Sequence, residues 1–234
     1  MGRGWLGPDG GGTGWGVMAM GVLRRGVLAG CVLVAVSAVG GVTSATGAVG
    51  SAATGPGAVG PADWPAYLAG PAHTSDNKAQ VAIAPGNVGS IVRKWHFVGD
   101  QPTLPGQPGP TFNASPTVAD GAVFIGSRTG WFYKLNERTG QVMAKVFIGF
   151  QPHETCTAGG IIATATVARD PADGRDTVYV GAPDGYLYAL RASDLSLKWR
   201  SVIAIPSATV SDYFQWSSPT VSGGRIYIGV SSHC

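Results

Sequence analysis

The sequence predicts an all-β chain built as a β-propeller of four-stranded blades, represented by about three blades plus a partial one. Three observations carry this expectation. First, one pattern recurs three times: Ser115-Pro116-Thr117-Val118 with Ala122-Val123-Phe124-Ile125-Gly126, then Ala165-Thr166-Val167-Ala168 with Thr177-Val178-Tyr179-Val180-Gly181, then Ser218-Pro219-Thr220-Val221 with Arg225-Ile226-Tyr227-Ile228-Gly229. Second, the copies lie 49 and 54 residues apart, close to the roughly 40–50 residues of a propeller blade. Third, no stretch after the N-terminal region keeps a helical apolar period, so helices should be rare.

Each unit reads as four strands. In the first copy, residues 115–119 form a short apolar strand, and Asp120-Gly121 is a tight-turn dipeptide that tolerates positive φ. Residues 122–126 are mainly β-branched or aromatic, which suits a half-buried pleated surface. Thr129-Gly130 turns the chain into residues 131–136, Glu137-Arg138-Thr139-Gly140 turns it again, and residues 141–148 close the unit. The second copy follows the same plan, with a polar insertion at residues 169–175, a turn at Asp184-Gly185, a third strand over 186–190 and a fourth over 197–199. Such an insertion belongs in a surface loop, where closure entropy grows slowly with length.

Residues 1–45 read as a secretory signal with an extended Gly-rich start. Arg24-Arg25 precede an apolar run from Gly26 to Val42, and small residues follow, with cleavage expected after Ala45 or Ala48. An N-terminal membrane anchor is the competing reading, although the run is shorter than the roughly 20 residues that span a bilayer. Leu28-Ala29-Gly30-Cys31 also outlines a lipoprotein box lipidated at Cys31, and the Arg pair a twin-arginine signal; both fit their patterns poorly. Residues 46–62 are a flexible Gly/Ala/Ser/Pro linker, and residues 63–234 are the folded part. The protein is therefore expected outside the cytoplasm, secreted or in the cell envelope, with no stable membrane span after cleavage.

Beyond residue 45 the chain keeps 13 bases and 12 acids, a net charge of +1 without a basic stripe. Nucleic-acid binding has no electrostatic support. The cysteines beyond the leader are Cys156 and Cys234. In an exported chain an even number suggests a disulfide, with two unpaired thiols or a partner for Cys234 further along as the alternatives.

A second signature follows each third strand. Ala189-Leu190-Arg191-Ala192-Ser193-Asp194-Leu195-Ser196-Leu197-Lys198-Trp199 places a Trp ten residues after an Ala. It is similar to the tryptophan-docking motif Ala-x-Asp-x-x-Thr-Gly-x-x-x-Trp of the pyrroloquinoline-quinone (PQQ) propeller family. The first copy keeps Thr139-Gly140 but has Ala144 in the Trp position, whereas the second keeps Trp199 but has Asp194-Leu195 in place of Thr-Gly. Lys94-Trp95-His96-Phe97 looks like the last strand of an earlier blade, and Asp63-Trp64-Pro65-Ala66-Tyr67 resembles the opening of many secreted members. Cys156-Thr157-Ala158-Gly159-Gly160 and Trp216-Ser217-Ser218-Pro219 resemble the polyvinyl-alcohol-dehydrogenase-like branch.

The resemblance implies a quinoprotein alcohol dehydrogenase-like fold in which Trp95 and Trp199 dock between blades. It implies PQQ and calcium as cofactors and an alcohol or polymer as substrate. It equally implies a non-enzymatic alternative, a binding or assembly scaffold like the barrel-assembly lipoproteins that share these blades. Closed propellers use about 4–8 blades. The 172 residues from Asp63 hold fewer, so the chain is expected to be a fragment of a longer product, inactive alone, with further blades after Cys234.

Calcium in such a site takes oxygen ligands, usually including a carboxylate. The chain has two Glu residues: Glu137 sits in a turn, and Glu154 lies in the loop leading to an inner strand. Asn113, Thr164, Trp216 and Ser217 stand just before inner strands and are candidates for the channel mouth, with Trp216 able to stack on a planar ligand. Packing between blades is the competing role for these residues. His153 and His233 stand near cysteines without the spacing of a zinc site. No Ser/His/Asp set and no phosphate-binding Gly loop is present.

Overall fold

The computed structural model describes residues 17–18, 63–78, 80–151, 159–204, 213–214 and 216–232. The expected linker, Glu154, Cys156, Cys234, His153 and His233 lie outside the described residues. Of the expected leader only β1 (Val17–Met18) is described, as a strand antiparallel to β13 (Val230–Ser232), whose other edge pairs with β10 (Tyr213–Phe214).

Two full antiparallel blades form the centre of the structure. The first contains β2 (Thr117–Ala119), β3 (Ala122–Gly126), β4 (Trp131–Asn136) and β5 (Val142–Phe147), paired in that order. The second contains β6 (Thr166–Arg169), β7 (Asp176–Gly181), β8 (Tyr186–Arg191) and β9 (Leu197–Val202). A third begins with the hairpin of β11 (Thr220–Ser222) and β12 (Arg225–Tyr227). The only helices among the described residues are two three-residue 3-10 turns, Tyr67–Ala69 and Val88–Ser90. This is the all-β propeller architecture that the repeat predicts.

The turns follow their residues. Asp120 and Gly121 take φ of 50° and 70°, the left-handed pair of a tight hairpin, and Gly223 and Gly224 repeat it at 56° and 71°. The insertion of the second copy is shorter than expected, because Arg169 still pairs with Asp176 at the end of the β6–β7 ladder. The register of each blade shifts once, between Lys134 and Leu135 and between the equivalent Ala189 and Leu190, so the two blades share even their irregularity.

The apolar core is divided among the joints between blades, as expected of a stacked repeat. Phe124, Ile161, Val178, Val180, Leu190 and Leu195 pack together between the first and second blades. Tyr179, Leu187, Ala189 and Ile228 pack between the second and third, with Trp199, Val221 and Ile226 against them. Val123, Tyr133 and Leu135 pack against Trp95, Phe97 and Phe112 of the segment ahead of the first blade. That segment forms no ladder among the described residues, although residues 94–97 read as a strand; its side chains anchor it instead.

Inner strands are linked by hydroxyls at equivalent positions. Thr117 Oγ1 donates to the Ala165 carbonyl at 2.7 Å, and Thr166 Oγ1 donates likewise to the Pro219 carbonyl. One turn earlier, the Ser115 N–H donates to Thr164 Oγ1 at 3.0 Å and the Thr164 N–H to Ser218 Oγ at 3.1 Å. The chain from Trp64 onward crosses all three inner strands. Trp64 bridges Val118, the Val167 N–H donates to the Pro65 carbonyl at 2.8 Å, and His73 Nε2 lies 3.2 Å from Thr220 Oγ1.

Candidate functional site at the inner-strand ends

The residues just before each inner strand meet at one end of the blades. Gly160 makes this possible in the second blade: a Cβ there would lie 2.5 Å from the Gly130 nitrogen and 2.6 Å from the Arg128 and Ser127 carbonyls. The bare backbone lets the Ile161 N–H reach the Ser127 carbonyl at 2.9 Å, which fixes the chain leading to Thr164.

The result is a cavity of about 640 Å³. Asn113, Thr164, Trp216 and Ser217 all line it, so four of the five candidate site residues come together. The fifth, Glu154, lies outside the described residues. Tyr67, His73, Arg128 and Ser218 are also among its walls. Tyr67 belongs to the opening motif seen in the sequence, whereas no pattern marked His73 or Arg128, which arrive through the crossing segment and a turn.

The chemistry of the cavity is that of hydrogen-bond donors around an aromatic face. Thr164, Ser218 and Ser217 each accept a backbone N–H, the last from Gly229 at 3.2 Å. A hydroxyl that accepts still has its own proton to donate. Trp216 is 55% exposed. Arg128 supplies a cation and Asn113 an amide. No lining residue of the cavity is a carboxylate, and no group of three His, Cys, Asp or Glu that could hold a metal occurs among the described residues. The described lining therefore offers amide and hydroxyl oxygens, a guanidinium and an aromatic face, without a carboxylate.

The cavity rests on rigid joints. Trp95 Nε1 donates to the Glu137 carbonyl at 2.8 Å, and its ring lies against Gly140. At the next joint Ala144 replaces the Trp, and Leu195, at φ 62° and 1% exposure, replaces the Gly. The cross-strand partner of Ala144 is Lys134, whose Nζ donates to the Ser193 carbonyl at 3.0 Å; at the equivalent pair, Ala189 faces Trp199. The joint thus keeps one filled slot and one donor, supplied by Leu195 and Lys134 in place of a single Trp. Trp199 Nε1 is buried without a hydrogen-bond partner among the described residues.

Charged groups reinforce the first joint and the turn of the second blade. Lys145 lies 2.6 Å from Asp100 and holds its carboxyl below the usual range, helped by the Tyr133 hydroxyl. Burial, reinforced by that carboxylate, pushes Tyr133 up to about 12. In the second blade, burial raises Asp184 even though Tyr188 donates to it at 2.6 Å; Tyr188 is itself raised to about 12, by burial first and Asp184 second.

No protein-family model matches the chain, and no curated protein matches it either. The solved structures do contain relatives of its shape. The quinohemoprotein alcohol dehydrogenase from Comamonas testosteroni overlays 73% of this chain with a TM-score of 0.52 at 20% identity. The chain has the quinoprotein-type propeller fold. It spans 23% of that structure's length. BamB from Moraxella catarrhalis overlays 51% of this chain and 47% of its own at 15% identity, but the TM-score of 0.26 is too low to bear on the fold. No helix among the described residues is long and apolar enough to cross a membrane.

Proposed function

We propose that this chain forms part of an exported PQQ-dependent alcohol oxidoreductase of the polyvinyl-alcohol-dehydrogenase type, and that the cavity at the inner-strand ends is its cofactor site. The observation that carries the reading is the convergence of Asn113, Thr164, Trp216 and Ser217 on one cavity. Trp216 offers a face on which a planar ring stacks. The hydroxyls of Thr164, Ser217 and Ser218 would hold its oxygens, and the Arg128 guanidinium would hold its carboxylates. Tyr67 and His73 restrict the mouth. The quinone, when bound, supplies the two-electron oxidation of an alcohol or polymer hydroxyl.

The second reading is a propeller that binds or assembles other proteins without catalysis. The donor set favours it in one respect, since no carboxylate lines the cavity among the described residues. Incubating the chain with PQQ and calcium, followed by gel filtration, separates the two readings. Co-elution of quinone absorbance with the protein is expected. Protein free of quinone would overturn the cofactor site and leave the scaffold.

A further inference from the structure

A second cavity, of about 420 Å³, opens at the opposite end of the blades, in the joint between the first and second. Its walls carry Lys134, Arg169, Arg175 and Arg191 against Asp120 and Asp176, four bases and two acids. The insertion in the second copy builds one wall, and its own acids are turned away from the cleft. Lys198 Nζ holds Asp170 at 2.9 Å and Asp173 at 2.8 Å, with the Lys198 and Asp170 side chains only 9% and 8% exposed. The Asp170 N–H donates to the Arg175 carbonyl at 2.9 Å and the Gly174 N–H to the Asp170 carbonyl at 2.8 Å, which closes the loop.

This rigid loop presents Arg169 and Arg175, neither of which forms an ion pair among the described residues. Lys134 is held by the Ser193 carbonyl, and one guanidinium nitrogen of Arg191 by Ser196 Oγ and the Leu197 carbonyl, so both side chains keep further N–H groups to donate. Guanidinium forks match oxyanions two bonds at a time, and the surplus of two positive charges matches a dianion.

We infer that this cleft binds a tetrahedral dianion, phosphate or sulfate, either free or as the monoester end of a larger molecule. The site is independent of the quinone reading.

Titration calorimetry on the purified chain, with inorganic phosphate, sulfate and phenyl phosphate as the probes, tests it. Saturable binding of phosphate is expected. The double variant Arg169→Gln, Arg175→Gln should weaken it at least about ten-fold, since it removes two charge-assisted donors. Asp176→Asn, which removes a negative charge from the cleft, should tighten it, an effect that no loss of fold can imitate. Tighter phenyl phosphate binding assigns the monoester source, and equal binding assigns the free anion. Absence of saturable binding to all three probes, or a double variant that binds as the wild type does, overturns the inference.

Discussion

The Trp95 ring lies against Gly140, with ring carbons 2.7 Å from the place a Cβ would occupy. Gly140 also has φ of 72°, so shape and backbone both demand glycine. Gly140→Ala should cost about 2–3 kcal/mol, from strain and overpacking together. A thermal melt checks this, and an unchanged midpoint would refute the docking.

The two tryptophans differ in their donors. Trp95 Nε1 reaches the Glu137 carbonyl, whereas Trp199 Nε1 has no partner among the described residues. Both residues are half-buried, so the main difference between the two changes is the hydrogen bond. Trp95→Phe should cost about 1 kcal/mol more than Trp199→Phe in denaturant unfolding.

The joint between the complete blades predicts a compensated pair. Leu195→Gly relieves a positive φ but empties a buried slot, and the slot dominates, for a net loss of about 1–3 kcal/mol. Ala144→Trp alone should also destabilise, because Leu195 fills the space the ring needs. Combining Ala144→Trp, Leu195→Gly and Lys134→Ala rebuilds the Trp-on-Gly arrangement and should recover at least about 1 kcal/mol relative to the sum of the parts.

Much of this fold was legible in the sequence because blades are local. Asp120-Gly121 and Asp184-Gly185 marked hairpins between runs of β-branched and aromatic residues, and β5 and β9 fell where the spacing put them. Residues 94–97 read as a strand and form no ladder among the described residues, since pairing depends on a neighbour that spacing cannot supply. Asn113, Thr164, Trp216 and Ser217 were legible through one rule, that each precedes an inner strand. The roles of Lys134 and Leu195 were not, because they depend on cross-strand register and on the facing blade. His73 and Arg128 carried no pattern at all.

Acid should act on Asp170 and Asp184 in opposite senses. Although burial opposes it, the Ala172 amide and Lys198 hold Asp170 below the model-peptide value of 3.8. Its contribution is fully present above that pH and is lost as pH falls through the lower folded value. Burial holds Asp184 above 3.8, so its contribution is present below 3.8 and is lost as pH rises through the higher folded value. Melting curves from pH 3 to 7 should therefore show less acid destabilisation in Asp170→Asn and a weaker decline toward neutrality in Asp184→Asn. At neutral pH, Lys198→Met should cost about 3 kcal/mol, because it strands a buried carboxylate.

The cavity that gathers Asn113, Thr164, Trp216 and Ser217 is the centre of the functional account. Equilibrium dialysis of the chain against PQQ, with the wild type beside Trp216→Ala, tests it most directly. The account predicts saturable binding of one quinone per chain, weakened about ten-fold or more when the stacking face is removed. No saturable binding, or equal binding by the variant, would contradict it.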